Sequence, residues 1–419
     1  MAPVEQQDFL DLAILGGGPA GLTLALELHH MGAPIRTAVF EKDRYPRFKV
    51  CAGGLAGSIR PQMDRLGIAI PEPNVVIRGA DIQFRGRSLG YSQPDIGYVV
   101  RRDVLDNGLA EACKERGIDL REECGITKIE RLALGFQIHT VTGTVRCRSL
   151  ALCTGANSKL RRDLGIPEPV RRARLMMMEG PIGANESDER FVFDLSELGR
   201  GVQGYVWDFP YRDSDGQVRM NRGVMDVQGR NRTDFPRADM SRLLKERVER
   251  AGLNPDDYTR YGFSERPFSA RSTFALPGVL CVGEAVGIDP LFGEGIGEAM
   301  EMAHMAAEEV VAAFERDASP GDEVLFSSYR KRVLGSPLGR SLRVLSAVSR
   351  LAYGRHWKKL VRLLFEHPGI GQHYCQFFAG ERLPPRAYVG GAFALMGTMV
   401  RPAPRDVEPT ITRSVQTPA

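Results

Sequence analysis

The sequence predicts an α/β protein of two or three domains that begins with a Rossmann-like βαβ unit. Two observations lead to this prediction. The chain has 419 residues, more than one hydrophobic core usually supports, and 43% of them are hydrophobic. Near its start, DLAILGGGPAGLTLALELHHMG has the pattern of a short buried strand, a glycine turn and a helix with apolar periodicity.

The glycine turn has the spacing of a dinucleotide site. Gly16, Gly18 and Gly21 fit GxGxxG, with Ala20 inside the same turn. Glycine is needed there because the turn is tight and a pyrophosphate approaches the backbone at the N-terminus of a helix. The next strand, RTAVFEK, ends at Glu41, twenty residues after Gly21, where a carboxylate can bind ribose hydroxyls.

The same spacing recurs later without this context. Gly199, Gly201 and Gly204 also fit GxGxxG, but aromatic residues and a proline follow them instead of a helix. We therefore reject the second match as a nucleotide site.

Composition excludes several classes of protein. The net charge of +4, from 56 basic and 52 acidic residues, argues against a dedicated nucleic-acid binder. The 7 cysteines form no CxxC pair and no metal-ligand spacing with histidines, so we expect reduced cytoplasmic thiols and no metal. Neither a signal peptide nor a run of about 18 apolar residues is present, so we expect a soluble or surface-bound protein.

Two later segments favour FAD over NAD. CRSLALCTGANSKLRR predicts a strand that ends at Thr154 and Gly155, and both this segment and the next resemble flavin-binding motifs. In the next, a strand is followed by Glu284, a glycine-rich loop and a long helix that starts near Gly295. A carboxylate at Glu284 can hold ribityl hydroxyls, and the positive end of the helix can stabilise the negative charge of a reduced flavin.

Most of positions 10 to 330 resembles the geranylgeranyl reductase family of FAD-dependent oxidoreductases, within the hydroxylase-like flavoproteins. The matching segments are GGGPAG at 16–21, FEK at 40–42, YPRFKVCAGGL at 45–55, VRRDVLD at 100–106, CTGANS at 153–158, YVWDFP at 205–210 and GIDPLFGEGI at 287–296. The resemblance implies a glutathione-reductase-like FAD domain, an inserted antiparallel-sheet substrate domain and a C-terminal helical region.

These motifs divide the chain into four parts. The FAD domain is discontinuous and comprises 8–60, 98–165 and 265–318. The substrate domain comprises 61–97 and 166–264, the helical region 319–380, and a proline-containing tail 381–419.

The resemblance also implies the residues of the site. It assigns catalysis to Cys51, Tyr205 and Trp207, and substrate binding to Tyr205, Trp207, Phe209 and Pro210. It assigns cofactor binding to Gly16, Gly18, Ala20, Gly21, Glu41, Lys42, Cys51, Ala52, Gly53, Arg101, Thr154, Gly155, Glu284, Asp289, Gly293, Gly295 and Ile296. Thr154 and Glu284 depart from the related motifs, where aspartate is usual.

The aromatic segment can also be interpreted from its own pattern. Alternation along a strand places Tyr205, Trp207 and Phe209 on one face, and Val206 and Asp208 on the other. Such an aromatic face is typical of a protein core, and it can equally form the wall of a pocket for a long apolar substrate. A flavin site nearby would favour the substrate pocket.

By this resemblance we expect a reductase that saturates double bonds of a prenyl chain on a lipid, a quinone or a related isoprenoid. A monooxygenase, a halogenase-like enzyme and a flavin electron-transfer module are the alternatives. The electron donor would be NAD(P)H or reduced ferredoxin, since no second nucleotide motif has the right context. No nucleic acid is expected as a partner.

The C-terminal region is basic. Leu342, Leu345 and Leu351 recur near helical spacing among several arginines and lysines. Such helices suit either an anionic membrane surface or packing on the flavin domain with a solvated face. We therefore expect a cytoplasmic protein, with peripheral contact at the inner face of the membrane as the second option.

Overall fold

The computed structural model describes residues 9–168, 172–227, 237–316, 324–354, 356–381 and 413–414. The strands are β1 (Phe9–Leu15), β2 (Thr37–Phe40), β3 (Gly54–Ala56), β4 (Asn74–Phe84), β5 (Arg87–Val100), β6 (Asp119–Arg121), β7 (Ile126–Arg131), β8 (Phe136–Thr140), β9 (Gly143–Leu152), β10 (Ala173–Pro181), β11 (Arg190–Asp194), β12 (Gly204–Arg212), β13 (Val218–Val227), β14 (Tyr261–Glu265), β15 (Ala275–Leu276), β16 (Val279–Cys281) and β17 (Arg413–Ser414). The helices are α1 (Pro19–His30), α2 (Arg60–Leu66), α3 (Arg102–Glu115), α4 (Leu160–Asp163), α5 (Met240–Arg250), α6 (Ile296–Arg316), α7 (Tyr329–Gly335), α8 (Pro337–Ala352), α9 (Trp357–Glu366) and α10 (Gly369–Phe378).

The first sheet has the strand order β15-β16-β9-β1-β2-β6, with β7 and β8 beside β9. β1 is parallel to both β2 and β9, and its carboxyl end meets the start of α1. Most of β1 is buried, as its aliphatic sequence predicts. α1 packs closely on α6, because the buried face of α1 consists mainly of small and aliphatic side chains. The predicted Rossmann-like α/β fold is confirmed.

The second sheet has the order β14-β10-β13-β12-β11-β4-β5, with β3 and β17 also paired to β5. Most pairs are antiparallel, whereas β11–β4 and β5–β17 are parallel. β12 begins at Gly204 and lies between β11 and β13, so a strand follows the second GxGxxG match, as its sequence context indicated.

The chain crosses between the two sheets at two points. β3 and the end of β5 pair with each other in the second sheet, although the sequence assigned positions 54–56 and 98–100 to the FAD domain. The crossing is tight because Gly53 has φ +76° and its carbonyl accepts a hydrogen bond of 2.9 Å from the Val100 amide. Pattern alone cannot show which sheet so short a strand joins.

The C-terminal helices pack against both sheets. Leu338 and Leu342 of α8 join the core of the first domain, while Tyr353, Trp357 and Val361 join that of the second sheet. No described helix is both long and apolar enough to cross a membrane. Apart from 413–414, the predicted tail lies outside the described residues beyond position 381.

The face of β12 that points away from the aromatic residues is anchored by α5. Val206 packs against Leu243, and the Asp208 carboxylate accepts hydrogen bonds from the Arg247 guanidinium, one of them 3.0 Å long. Arg247 also donates to Asp194, at 3.2 Å. Asp208 and Asp194 are both buried, so this one cation compensates two carboxylates.

We expect the Arg247→Ala variant to lower the free energy of unfolding by about 3 to about 5 kcal/mol, because it leaves both carboxylates buried without their cation. Urea unfolding followed by circular dichroism measures the change. Arg242→Ala is the matched control on the same helix, since the Arg242 side chain is 61% exposed, and we expect a loss of under about 0.5 kcal/mol. Equal losses in the two variants would contradict the anchoring role of Arg247.

Candidate active site

The turn between β1 and α1 contains two kinds of glycine. A Cβ on Gly16 would lie 2.6 Å from the carbonyl oxygen of Cys153, and one on Gly21 would lie 2.0 Å from the Gly16 carbonyl oxygen. These two glycines therefore permit close backbone packing. A Cβ on Gly18 would meet only one described side chain within 4 Å, Arg102 at 3.8 Å. The space over Gly18, at the start of α1, is open for a phosphate group.

Glu41 lies at the end of β2 and is tied to the glycine turn. Its carboxylate accepts hydrogen bonds from the amides of Gly17 (2.9 Å), Lys42 (3.0 Å) and Asp43 (3.2 Å). The predicted cofactor residue Lys42 contributes only this amide, because its side chain is 75% exposed and pairs with Asp43. The other predicted residue of the turn, Ala20, is buried and directs its methyl group toward Gly283.

The double arginine at the start of α3 separates into two roles. Arg101, the predicted residue, pairs with Asp103 at 3.1 Å and Glu179 at 3.4 Å, away from the glycine turn. Arg102 is the arginine that faces Gly18, and Asp106 holds its guanidinium through two hydrogen bonds of 2.8 Å. The sequence pointed to the pair of arginines but not to the one that meets the turn.

A polar corner lies where β9 and β16 end. The hydroxyl of Thr154 is buried and has no hydrogen-bond partner among the described residues. A Cβ on Gly155 would lie 3.4 Å from the carboxylate of Glu284, whose other oxygen accepts from the Arg266 amide at 3.3 Å. The structure thus brings together the three residues that were predicted from two distant motifs.

The glycine-rich loop at 287–296 is shaped from within by Asp289. Its carboxylate accepts hydrogen bonds from the amides of Leu291 (2.7 Å) and Phe292 (3.1 Å), so both of its oxygens serve the loop itself. Gly295 is also structural, because a Cβ there would lie 2.7 Å from Ile288.

The remaining predicted residues of this loop are Gly293 and Ile296. Gly293 has φ +74° and lies against Glu265, and Ile296 begins α6. Gly293, three residues before this helix begins, lines a cleft in the protein.

Cys51, Ala52 and Gly53 border the opposite side of the cleft. The Cys51 sulfur accepts a hydrogen bond of 3.4 Å from the Gly53 amide. Loss of hydration raises the pKa of the Cys51 thiol, and Arg102 opposes that rise only in part. Cys51 therefore stands in the cleft as a neutral thiol.

One cavity, partly open to solvent, lies between these two borders. Cys51, Ala52, Gly53 and Gly54 line one side, and Glu265, Gly293 and Glu294 line another. The rest of the lining is apolar and mostly aromatic: Leu175, Phe191, Phe193, Tyr205, Trp207, Phe209, Phe263, Phe292 and Phe378.

The predicted aromatic wall forms part of this cavity. Tyr205, Trp207 and Phe209 face it side by side, with neighbouring ring centroids 6.2 and 6.4 Å apart. Pro210, predicted to bind substrate, is absent from the described lining because alternation along β12 turns it toward the face of Val206 and Asp208.

Asn221 fixes this wall and was not predicted. Its Oδ1 accepts a hydrogen bond of 2.9 Å from the Trp207 indole nitrogen, and its Nδ2 donates to Glu179 at 3.2 Å and to the Cys51 carbonyl at 3.4 Å. It therefore links the wall to the Cys51 segment. A lone asparagine on a neighbouring strand gives no sequence signal of such a role.

Several other residues of the cavity were also missed. Phe191 and Phe193 of β11 alternate in RFVFD, a signal that the sequence did contain. Glu265 and Phe378 gave no signal, because each reaches the cavity only through the tertiary fold.

These features fit FAD. The open space over Gly18 suits a pyrophosphate, and Glu284 and the Thr154 hydroxyl, which has no partner among the described residues, suit a ribityl chain. The border of the cavity near Gly293 and Glu294 suits a flavin ring. When bound, FAD would supply hydride-transfer chemistry at the edge of the apolar cavity.

Comparisons with known proteins agree with this fit. The family model described as FAD dependent oxidoreductase (DAO) matches residues 77–262. The chain is 28% identical to digeranylgeranylglycerophospholipid reductase 2 of Methanothermobacter thermautotrophicus, covering 80% of this chain and 86% of that protein. It is 26% identical to menaquinone reductase of Mycolicibacterium smegmatis, covering 81% and 85%.

Solved structures share the fold. A geranylgeranyl bacteriochlorophyll reductase-like protein from Thermoplasma acidophilum superposes with a TM-score of 0.71 at 19% identity, over 92% of this chain and 96% of that one. The chain is an FAD-dependent oxidoreductase that is similar to proteins named as geranylgeranyl-type reductases. The halogenase PltM, solved with FAD, also shares the enzyme's fold, with a TM-score of 0.63 at 14% identity over 93% and 85% of the two chains.

We expect the Gly18→Val variant to fold but to lose FAD. Gly18 has φ −88°, which any residue adopts, and its Cβ points into the open space, so valine would occupy the volume of the pyrophosphate. Absorbance of the purified protein and its FAD affinity measure the loss. Gly21→Val is the contrasting variant, because its Cβ would collide with the backbone and should impair folding itself. A folded Gly18→Val variant with full FAD occupancy would show that the pyrophosphate lies elsewhere.

Five carboxyl groups crowd the glycine-rich loop: Glu265, Glu284, Asp289, Glu294 and Glu298. Loss of hydration raises the pKa of every one, that of Asp289 to about 6 and that of Glu294 to about 7. In the unfolded chain the same two groups would titrate near 3.8 and 4.5. The folded enzyme therefore holds protons that the unfolded chain has already released.

The sign of this linkage predicts a pH dependence of stability. The stabilisation is complete below the unfolded pKa values and disappears as the pH rises to about 7, so the free energy of unfolding should fall between about pH 4 and about pH 7. In the flavin-free enzyme, the free energy of unfolding of the Glu294→Gln variant should fall less steeply with pH than that of the wild type, because the amide cannot ionise. The two slopes should differ by up to about 1.4 kcal/mol per pH unit.

Urea unfolding at a series of pH values checks this expectation. In the wild type, an oxygen of Glu294 accepts a hydrogen bond of 3.0 Å from the Gly297 amide. Glutamine keeps this acceptor oxygen, so the conformation of the loop should be preserved. Glu189→Gln is the control, since that side chain is 55% exposed. Parallel curves for the wild type and Glu294→Gln would rule out a raised pKa at Glu294.

Proposed function

We propose that this enzyme reduces carbon–carbon double bonds of a prenyl chain carried by a lipid, a quinone or a related isoprenoid. One observation carries the proposal: the cavity that borders the flavin site is walled mostly by aromatic rings. Its lining, which is mostly apolar, suits a hydrocarbon better than a small polar molecule.

The wall is rigid where the chain would bind. Trp207 is only 2% exposed and its indole is held by Asn221, while the Tyr205 hydroxyl donates to the Phe292 carbonyl. Phe193 packs between the two sides, with its ring centroid 5.0 Å from that of Phe292. Such anchoring would hold one alkene at a fixed place beside the flavin site.

Positioning is the main demand of this reaction. An isolated alkene is a poor hydride acceptor, so a dry pocket that fixes its distance and angle must supply much of the rate. Cys51, Tyr205 and Trp207 border the place where this positioning would occur. The names of two relatives, reductases of digeranylgeranylglycerophospholipid and of menaquinone, support the substrate class.

The electron donor would be NAD(P)H or reduced ferredoxin, a choice that reduction of the purified enzyme by each donor would decide. An apolar substrate also favours contact with a membrane surface. The basic residues Arg340, Arg343, Arg350 and Lys358 of α8 and α9 are exposed beside the exposed Val344, while the opposite faces of these helices are buried. This arrangement supports peripheral attachment to anionic lipid.

A monooxygenase or a halogenase-like enzyme is the alternative, because PltM shares the fold. The two functions differ in their need for oxygen. Anaerobic oxidation of the reduced enzyme by geranylgeraniol would support the reductase, whereas turnover that needs oxygen and an aromatic substrate would support the alternative.

We expect the Trp207→Ala variant to keep its FAD spectrum and its photoreduction but to turn over a prenyl substrate about 100-fold more slowly. Truncation would admit water or let the alkene move by about 1 Å from its reactive position. The measurement is the rate at which geranylgeraniol oxidises the photoreduced enzyme without oxygen.

The matched control is Val206→Ala, the next residue on β12, whose side chain faces α5 instead of the cavity. It should lower stability slightly and leave the rate unchanged. Because the Trp207 ring also packs on Gly223, Trp207→Phe is the milder variant if alanine does not fold. Wild-type rates in both folded Trp207 variants would remove this wall from the substrate site.

A further inference from the structure

Glu265 places a carboxyl group in the wall of the aromatic cavity. It is the last residue of β14, and a Cβ on Gly293 would lie 2.8 Å from its Oε2. It lines the same cavity as Tyr205 and Trp207. The side chain therefore reaches the border between the glycine-rich loop and the aromatic wall.

Glu265 is distinguished from its acidic neighbours by its hydrogen bonding. Asp289, Glu294 and Glu298 each accept hydrogen bonds from backbone amides of the loop, and Glu284 accepts one from Arg266. The Oε2 of Glu265 is buried and has no hydrogen-bond partner in the part of the chain that the structure describes. An ionised oxygen in that position would lack both water and a donor.

The acidic groups that face Glu265 act in the same direction. Glu284, Asp289 and Glu294 are acidic, and Lys49 is the nearby cation that opposes them. Cys51 and Tyr205 also face it, and both are neutral at ordinary pH because their pKa values are raised by burial. Loss of hydration and the acidic neighbours together raise the pKa of Glu265 well above its usual value. Both causes favour the protonated carboxylic acid over the carboxylate.

We propose that Glu265 is the general acid that protonates the substrate during reduction. The inference rests on the proposed function and adds the source of the second hydrogen. Saturating an alkene adds a hydride, which reduced flavin would supply, to one carbon and a proton to its neighbour. As the π bond breaks, its electron pair forms a new C–H bond with the proton of the Glu265 carboxyl. The electrons of the broken O–H bond stay on the oxygen and leave a carboxylate. Water must return a proton to this carboxylate before the next turnover.

The other titratable groups of the cavity are less suited to this role. The Tyr205 hydroxyl already donates to the Phe292 carbonyl. The Cys51 thiol is intrinsically a much weaker acid than a carboxyl, and a donor transfers its proton best when its pKa lies near the operating pH. Glu294 and Asp289 have oxygens committed to the loop.

The Glu265→Gln variant tests the proposal, because glutamine keeps the size and polarity of the side chain but has no acidic proton. Photoreduced enzyme is mixed with geranylgeraniol without oxygen, and flavin absorbance follows its oxidation. We expect the wild-type rate to fall by about 100-fold or more in Glu265→Gln, and Glu265→Asp to recover part of it. FAD content and photoreduction should not change. The control is Glu189→Gln, an exposed carboxylate of the same sheet region.

Two further readouts separate an acid from a merely structural residue. The wild-type rate should fall as the pH rises through the pKa of Glu265, and the slow rate of Glu265→Gln should lose this dependence. The infrared spectrum of the FAD-bound enzyme needs no turnover, and the carbonyl band of one protonated carboxyl should disappear in Glu265→Gln but remain in Glu189→Gln.

The outcomes distinguish this proposal from the function on which it rests. If geranylgeraniol does not oxidise even the wild type, the substrate class is wrong. The infrared band then decides whether Glu265 is a neutral acid, and its persistence in Glu265→Gln would overturn that assignment. If the wild type reacts and Glu265→Gln reacts equally fast, the substrate class stands and Glu265 is not the proton donor.

Discussion

The glycine-rich loop at 287–296 is the constraint on which the two halves of the enzyme depend. Its backbone carbonyls at Pro290, Leu291 and Phe292 accept hydrogen bonds from Ser349, Tyr353 and Tyr205 respectively. These three hydroxyls come from α8, from the end of α8 and from β12. Meanwhile Asp289 holds the amides of the loop from inside. One short segment therefore joins the FAD domain, the substrate sheet and the C-terminal helices, and each wall of the cavity takes its position from it.

This junction carries an energetic cost. Carboxyl groups that lose hydration must be compensated by amides or retain their protons, and around this loop both solutions are used. Asp289 and Glu294 have amide partners, whereas the Oε2 of Glu265 has no hydrogen-bond partner among the described residues. Natural proteins accept such local costs mainly where function requires them, and the cavity beside the flavin site is such a place.

Local patterns predicted the parts of this structure that local forces decide. The strand, turn and helix around Gly16 to Gly21 follow from the steric needs of the backbone, and the cavity-facing side of β12 follows from the period of a strand. Prediction was weaker where side chains have more than one possible direction. Arg102 meets the glycine turn while Arg101 turns away, and no pattern in VRRDVLD distinguishes them. Pro210 was placed in the cavity by resemblance, against the alternation that governs its neighbours.

Glu265 could not have been found from sequence, because its environment is assembled from distant parts of the chain. Its neighbours lie near positions 51, 205 and 284–294, and only the fold brings them together. The reaction proposed for this cavity also poses a chemical problem. A cavity dry enough to position an isolated alkene cannot rely on bulk water to protonate it. The same burial raises the pKa of the Glu265 carboxyl, so a single physical cause would provide both the dry pocket and its internal acid.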